Sequence, residues 1–341
     1  MKHFKFFILF FLFISCTEEY TAPTLTPQEI ETPKEPEKTL GFLVFVAPNT
    51  MQTTIYHIDT LHQIKSWRFL QGDFFDARID CRQSMLYYFP KSIGEMQAID
   101  IELKETRWTI PLTNSQSAQW FRGVDLIQSE LYVADYNGNV NVYDHKKRTL
   151  KYFQTSDNYV ATHFLYYDKL YYDRITYTFQ QPLNNSQHKK IVNYNVGFAT
   201  VCNMIFDSDL KKWFVQNQNE VLLFYNGGSG SGIDILCYLD VGISTIRTIS
   251  GEKIVDVCRI AEDQFVVATD KSLYLYNHTD HSLLLMMEKE NMMQLEWNNK
   301  TSLLAISSGK DIMVYSISQR EIVQQYTLPY EIKKFFWYLG Y

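Results

Sequence analysis

Ionisable side chains recur in this chain at positions where a folded β protein would hold them inside. They are Asp76, Arg78 and Asp80, then Arg122 with Asp125, His163, Arg259, Glu296, and Lys333 beside Lys334. Each sits in a short run rich in aliphatic and aromatic residues, a strand pattern. If the runs converge, Arg78, Arg122, His163, Arg259 and Lys334 form a cationic set able to hold a carboxylate or an acidic sugar. Guanidinium would offer a planar fork of donors and ammonium a point charge. The same charges could instead line a wet channel and pair with Asp and Glu from neighbouring elements.

Other chemistry is harder to find. No Ser–His–Asp or Cys–His grouping is legible, because its members would have to assemble from distant segments. A paired-carboxylate glycosidase site is equally unprovable from the spacing. His278-Thr279-Asp280-His281 places two imidazoles and a carboxylate in one turn. Transition-metal sites draw ligands from several elements, so an ordinary polar turn is the better reading and no metal is expected. Gly227-Gly228-Ser229-Gly230-Ser231-Gly232 is glycine-rich, but strand patterns flank it on both sides. A phosphate cradle needs a helix N-terminus there, so a hairpin loop is expected and no cofactor is implied. The stretch from Tyr166 to Phe179 is dense in Tyr and precedes a polar excursion at 180–190. Tyr171, Tyr172 and Tyr177 are candidates for recognition on a rim, since Tyr offers a large rigid face with a polar tip. Alternation within a strand pair, with half the rings buried, is the plainer account.

The elements that must position these residues are announced by repetition. A phrase of the form aliphatic–x–x–(Tyr/Ile)–(Asp/Asn/Ser) occurs seven times: IYHID at 55–59, MQAID at 96–100, VNVYD at 140–144, IVNYN at 191–195, LLFYN at 222–226, LYLYN at 273–277 and IMVYS at 312–316. Asp59 and Ser316 are 257 residues and six intervals apart, a mean period of about 43. Four-stranded propeller blades repeat every ~40–45 residues. The phrase is expected on the third strand of each blade, its aliphatic residues facing the neighbouring blades. Its terminal Asp, Asn or Ser would bond nearby backbone to start the next turn. Composition agrees: of 341 residues 46% are apolar, and Tyr (24) and Phe (23) are abundant, which suits strands.

Segments such as YVADYNGNVNVYD and VVATDKSLYLYN resemble blades of the WD-repeat and quinoprotein-like propeller superfamilies. The likeness covers residues 40–341 in period and patterning, without the Trp-Asp and Gly-His signatures or the repeated Trp docking motifs. It implies an all-β, seven-bladed β-propeller, with blades at about 40–68, 73–111, 118–154, 158–197, 198–240, 252–288 and 291–328. The first segment shows three strands, and EIKKFFWYL at 331–339 is left over. A 3+1 closure, in which this last strand becomes the innermost strand of the first blade, is therefore expected. It would remove two free sheet edges. Fold follows from such a resemblance; function does not.

Residues 1–15 read as a signal peptide: a basic start, then the nine-residue apolar run Phe6–Ile14, far too short to span a bilayer. The run ends in Phe13-Ile14-Ser15-Cys16, which resembles the lipobox of bacterial lipoproteins, although Phe13 departs from the usual Leu. The resemblance implies acylation of Cys16, palmitate among the chains. Thr17-Glu18-Glu19 resembles the surface-export signal of Bacteroidetes lipoproteins, and Asp59-Thr60-Leu61 their O-glycosylation sequon. Residues 16–39 form the lipidated Cys and a linker with six Glu and four Pro, read as disordered or polyproline-like.

The remaining cysteines, Cys81, Cys202, Cys237 and Cys258, show no metal spacing. Three are expected in blade-opening strands and Cys237 in a closing one, as small buried residues or with one incidental disulfide. The formal charge of −6 has no basic stripe, which argues against nucleic acid. The sequence thus leads to an outer-membrane lipoprotein, at the cell surface or facing the periplasm. Its expected role is a non-enzymatic protein-interaction scaffold or adaptor; a glycan or peptide receptor, or a propeller lyase or hydrolase, are the alternatives.

Overall fold

Alternation of buried aliphatic and polar residues over six to ten positions leaves the chain one stable solution, short antiparallel strands packed face to face. The computed structural model describes residues 40–339 apart from short connecting segments, the longest being 112–120, 183–188 and 196–203. Of the strands between 143 and 206 only the backbone is described. Calls on Cys16, Tyr171, Tyr172, Cys81 and Cys202 lie outside the described residues.

Seven four-stranded antiparallel sheets account for the described strands. The first holds β1 (Leu40–Asn49), β2 (Gln52–Ile58) and β3 (Ile64–Gln71). The second is β4 (Phe74–Asp80), β5 (Met85–Pro90), β6 (Glu95–Asp100) and β7 (Glu105–Pro111). The third is β8 (Phe121–Ile127), β9 (Glu130–Asp135), β10 (Asn139–Asp144) and β11 (Thr149–Gln154). The fourth is β12 (Tyr159–Asp168), β13 (Arg174–Pro182), β14 (Lys189–Asn195) and β15 (Met204–Phe206). The fifth is β16 (Asp209–Asn217), β17 (Glu220–Asn226), β18 (Gly230–Cys237) and β19 (Gly242–Ser250). The sixth is β20 (Ile254–Ala261), β21 (Gln264–Thr269), β22 (Ser272–Asn277) and β23 (Ser282–Glu288). The seventh is β24 (Met292–Asn298), β25 (Leu303–Ser308), β26 (Asp311–Ser316) and β27 (Glu321–Thr327).

The last strand, β28 (Ile332–Leu339), pairs antiparallel with β1, from Leu40 opposite Leu339 to Val46 opposite Ile332. The first sheet therefore reads β28-β1-β2-β3. The innermost strands neighbour one another in the cyclic order β28, β4, β8, β12, β16, β20, β24 and back to β28. The cores lie between sheets. Phe42, Val44 and Phe335 of the first sheet pack against Ala305, Ile312 and Val314 of the seventh. Leu43, Phe45 and Phe336 pack against Ala77, Leu86 and Tyr88 of the second. At the junction Phe42 and Trp337 have ring centroids 4.2 Å apart.

Two devices shape the sheets. Outermost strands carry one-residue bulges at Trp67, Arg107, Ile246, Met286 and Val323, each skipped in the pairing with the third strand. Bulges twist an exposed edge away from further pairing. Close backbone approach fixes Gly41, where a Cβ would lie 2.1 Å from the Ile58 carbonyl oxygen.

The repeated phrase meets one exception. Six copies lie on third strands, but Leu222–Asn226 lies on β17, a second strand. The fifth unit thus spans 209–250 rather than 198–240, β15 belongs to the fourth sheet, and Cys237 sits on a third strand. A half-buried strand ending in a polar turn has the same pattern whether second or third, so the phrase alone could not separate them. The hydrogen bonds do. Asp59, Asp100, Asn277 and Ser316 accept from the N–H groups of Gln63, Leu103, Thr279 and Gln319 in the following turn. Asn226 instead grips the next sheet, donating to the Ile254 carbonyl at 2.9 Å and accepting from its N–H at 2.8 Å.

Candidate functional site

The first and middle residues of six innermost strands, β4, β8, β16, β20, β24 and β28, line a cavity of about 560 Å³. Its charged lining comprises Asp76, Arg78, Asp125, Lys211, Lys212, Asp256, Glu296, Lys333 and Lys334, five cations facing four carboxyls. Phe74, Phe75, Met293 and Phe336 supply apolar wall. A strand turns alternate residues to opposite faces, and here those faces meet the two neighbouring sheets, Phe335 packing toward the seventh and Phe336 toward the second.

Most of these charges join one sheet to the next. Lys334 Nζ lies 2.5 Å from Asp76 Oδ1, linking the first sheet to the second. Arg78 bonds Asp76 at 2.6 Å and reaches the third sheet through Asp125 at 3.1 Å and the Val124 carbonyl. Lys212 of the fifth sheet meets Asp256 of the sixth at 3.1 Å. Asp256 also accepts from the Leu295 N–H of the seventh at 2.9 Å. Gln294 closes the seventh sheet onto the first: its amide donates to the Phe335 carbonyl at 2.8 Å and accepts from the Phe335 N–H at 3.0 Å. Trp337 Nε1 donates to the Glu296 carbonyl at 3.0 Å.

The electrostatics follow from crowding at the axis. Burial acts to raise Asp76, yet Arg78 and Lys334 together hold its carboxyl below the usual range. Burial, with Arg78 nearby, depresses Lys334 despite its bond to Asp76. Asp256 raises Lys212. Glu296 is pushed up to about 7, first by burial and then by the Asp256 carboxylate, against the pull of Lys212. Two cations stand apart from the seams. Among the described residues Lys211 makes no ion pair, and Lys333 has only Glu331 at 3.8 Å.

The sequence-derived candidates therefore divide. Arg78 and Lys334 lie together in this lining. Arg259 does not join them. It lies near the far end of β20, where its guanidinium is spent on the carbonyls of Val215 at 2.9 Å and Glu262, on Gln216 at 3.1 Å, and over the Phe265 ring. Arg122 and His163 occupy the innermost strands β8 and β12, and Tyr177 the second strand β13, with side chains outside the described residues. The His278–His281 turn is built around Tyr276, whose hydroxyl contacts Nδ1 of both rings at 3.4 and 3.3 Å. Gly227-Gly228 opens the β17–β18 hairpin, with Gly227 N–H bonded to the Gly230 carbonyl at 2.8 Å.

Lys211, Lys212, Asp256 and Gln294 were missed. Placing the fifth unit at 198–240 put Lys211-Lys212 on a second strand. A signal was present: Asp209-Leu210-Lys211-Lys212-Trp213-Phe214 matches Glu331-Ile332-Lys333-Lys334-Phe335-Phe336 position by position in type. Both open innermost strands.

Solved structures resemble this arrangement over most of its length. A protein of unknown function from Desulfotomaculum acetoxidans aligns with TM-score 0.58 at 13% identity, over 88% of this chain and 99% of its own. The C-terminal WD40 domain of Sif2 aligns with TM-score 0.58 at 10% identity, over 86% and 84%. The chain has a β-propeller fold. The β-propeller domain of Cps50 (Swd1) from Myceliophteria thermophila aligns with TM-score 0.54 at 10% identity, over 76% and 88%. At such identity the likeness extends to the propeller fold alone. No family model and no curated protein matches the chain.

Proposed function

We propose that this propeller is a seven-bladed ring closed 3+1 by β28, tethered through an acylated Cys16 to a bacterial outer membrane. In this reading it is a scaffold that docks an envelope protein. The observation that carries the scaffold reading is the use made of the channel charges. Asp76, Arg78, Lys334, Lys212 and Asp256 are all bonded across sheet seams. They stiffen a platform, and a group committed to a seam is poorly placed to cycle protons with a substrate.

A second reading keeps the cavity as a ligand site. Lys211 and Lys333, beside the aromatic wall, would suit a carboxylate or acidic sugar. Gentle-detergent affinity capture from isolated outer membranes, with quantitative mass spectrometry, tests the first. A stoichiometric protein partner is expected. A clean monomer would sink the scaffold reading and direct attention to glycan and peptide panels with Lys211→Ala and Lys333→Ala.

A further inference from the structure

Strand register fixes which end of the propeller each rim residue occupies. The innermost strands start at the charged cavity. In an up-and-down sheet, the ends of the first and third strands and the start of the fourth therefore share the opposite end. Large apolar side chains are exposed there. Leu103, in the β6–β7 turn, is 54% exposed. Ile64 opens β3, Ile322 and Val323 follow the start of β27, and Leu284 and Leu285 are the third and fourth of the seven residues of β23. Their sheets, the sixth, seventh, first and second, are consecutive around the propeller.

The chain enters the body at the same end. Leu40 opens β1 opposite Leu339, the last residue of β28. This point lies in the first sheet, inside the arc of exposed apolar residues.

We propose that this arc seats on a lipid bilayer, so that the charged cavity faces away from the membrane. The inference rests on the tether of the proposed function, and the occupant is argued from where the preceding chain meets the body. Residues 17–39 are 23 in number, a contour of at most about 80 Å. A tether of that reach holds the body near the surface at an effective concentration in the millimolar range. Apolar contact too weak to recruit a free protein then becomes populated. The charges beside the arc are of both signs, Lys65 and Arg107 against Asp59 and Asp100. Contact therefore depends on apolar burial and should survive raised salt.

The test uses residues 17–341 with an N-terminal hexahistidine tag on vesicles of phosphatidylethanolamine, phosphatidylglycerol and nickel-chelating lipid. Hydroxyl-radical labelling, read by mass spectrometry, is compared with the same protein released by imidazole. If the arc is seated two thirds of the time, labelling of Leu103, Leu284 and Ile322 falls about threefold. Met293, 43% exposed at the cavity, serves as the internal reference and stays unchanged. The pair Leu284→Glu with Ile322→Glu should return Leu103 toward its solution labelling. Equal labelling of the arc on and off the vesicles overturns the proposal. So does protection found only in isolated outer membranes, which would identify a protein as the occupant. Intact mass of the native protein is a separate arm: absence of acyl chains would sink the Cys16 anchor, while protection of the tagged protein would still support the arc as a lipid-facing surface.

Discussion

Glu296→Gln is expected to stabilise the protein at pH 8 and to leave it unchanged near pH 4. The carboxyl, ordinarily near 4.5, is raised to about 7 by burial and the Asp256 carboxylate, against Lys212. Below pH 4.5 the group is protonated in folded and unfolded chains alike and contributes nothing. Between 4.5 and 7 the unfolded chain gives up the proton while the folded one keeps it, so stability falls as pH rises. Above 7 the whole penalty is present. A rise from the ordinary value to about 7 corresponds to about 3 kcal/mol. Solvent reaching the partly buried side chain screens it, so that figure is a ceiling. The substitution keeps size and shape, and the new amide oxygen can still accept from Gln294, now 2.9 Å from Oε1. Urea unfolding followed by tryptophan fluorescence, at pH 4.5, 6 and 8, gives the comparison. Curves for the two proteins should coincide at the lowest pH and separate steadily above it. Parallel pH profiles, or a variant less stable at pH 8, would refute the argument that Glu296 is held in the cavity at a cost.

Other consequences are as direct. Asp76→Ala leaves Arg78 and Lys334 without the carboxylate they share and should cost roughly 3 kcal/mol, read by denaturant titration; a loss under about 1 kcal/mol would mean the seam is not held there. Deleting 332–341 removes β28 with its buried Ile332, Phe335 and Phe336, and should abolish the cooperative thermal transition seen by circular dichroism. Gly41→Ala brings a Cβ onto the Ile58 carbonyl and should destabilise by about 2 kcal/mol, measured as a lowered Tm. Cys16→Ser should move the protein out of the membrane fraction with loss of acyl mass; unchanged fractionation would remove the lipid-anchor proposal.

Much of the fold was legible because burial imposes a period. Strand-length runs carrying one phrase that returns every 43 residues or so leave few architectures. The leftover EIKKFFWYL could be matched with the three-stranded first segment because a missing strand and a spare one are countable. The fifth unit was misread where the phrase slid from a third strand to a second. Local pattern reports half-burial and a turn, and both strands satisfy that. The same slip hid Lys211 and Lys212, and it shows how a site residue can be lost through register alone.

The candidate site was legible only in part. Arg78 and Lys334 could be singled out because charge on an innermost strand is unusual. Arg259 looked identical in sequence, yet three more residues along β20 carry it toward the other end of the channel, where carbonyls of neighbouring strands take up its donors. By itself the sequence determined the all-β class, the repeat and the residues that a core would bury, since these depend on local alternation. Tertiary structure decided which charges meet, that Asp76, Arg78 and Lys334 form one cluster spanning two seams, and that the exposed apolar arc and the entry of the chain share an end. Those are relations between strands far apart in the chain, and only the pairing register and the order of sheets set the distances that electrostatics and apolar burial depend on.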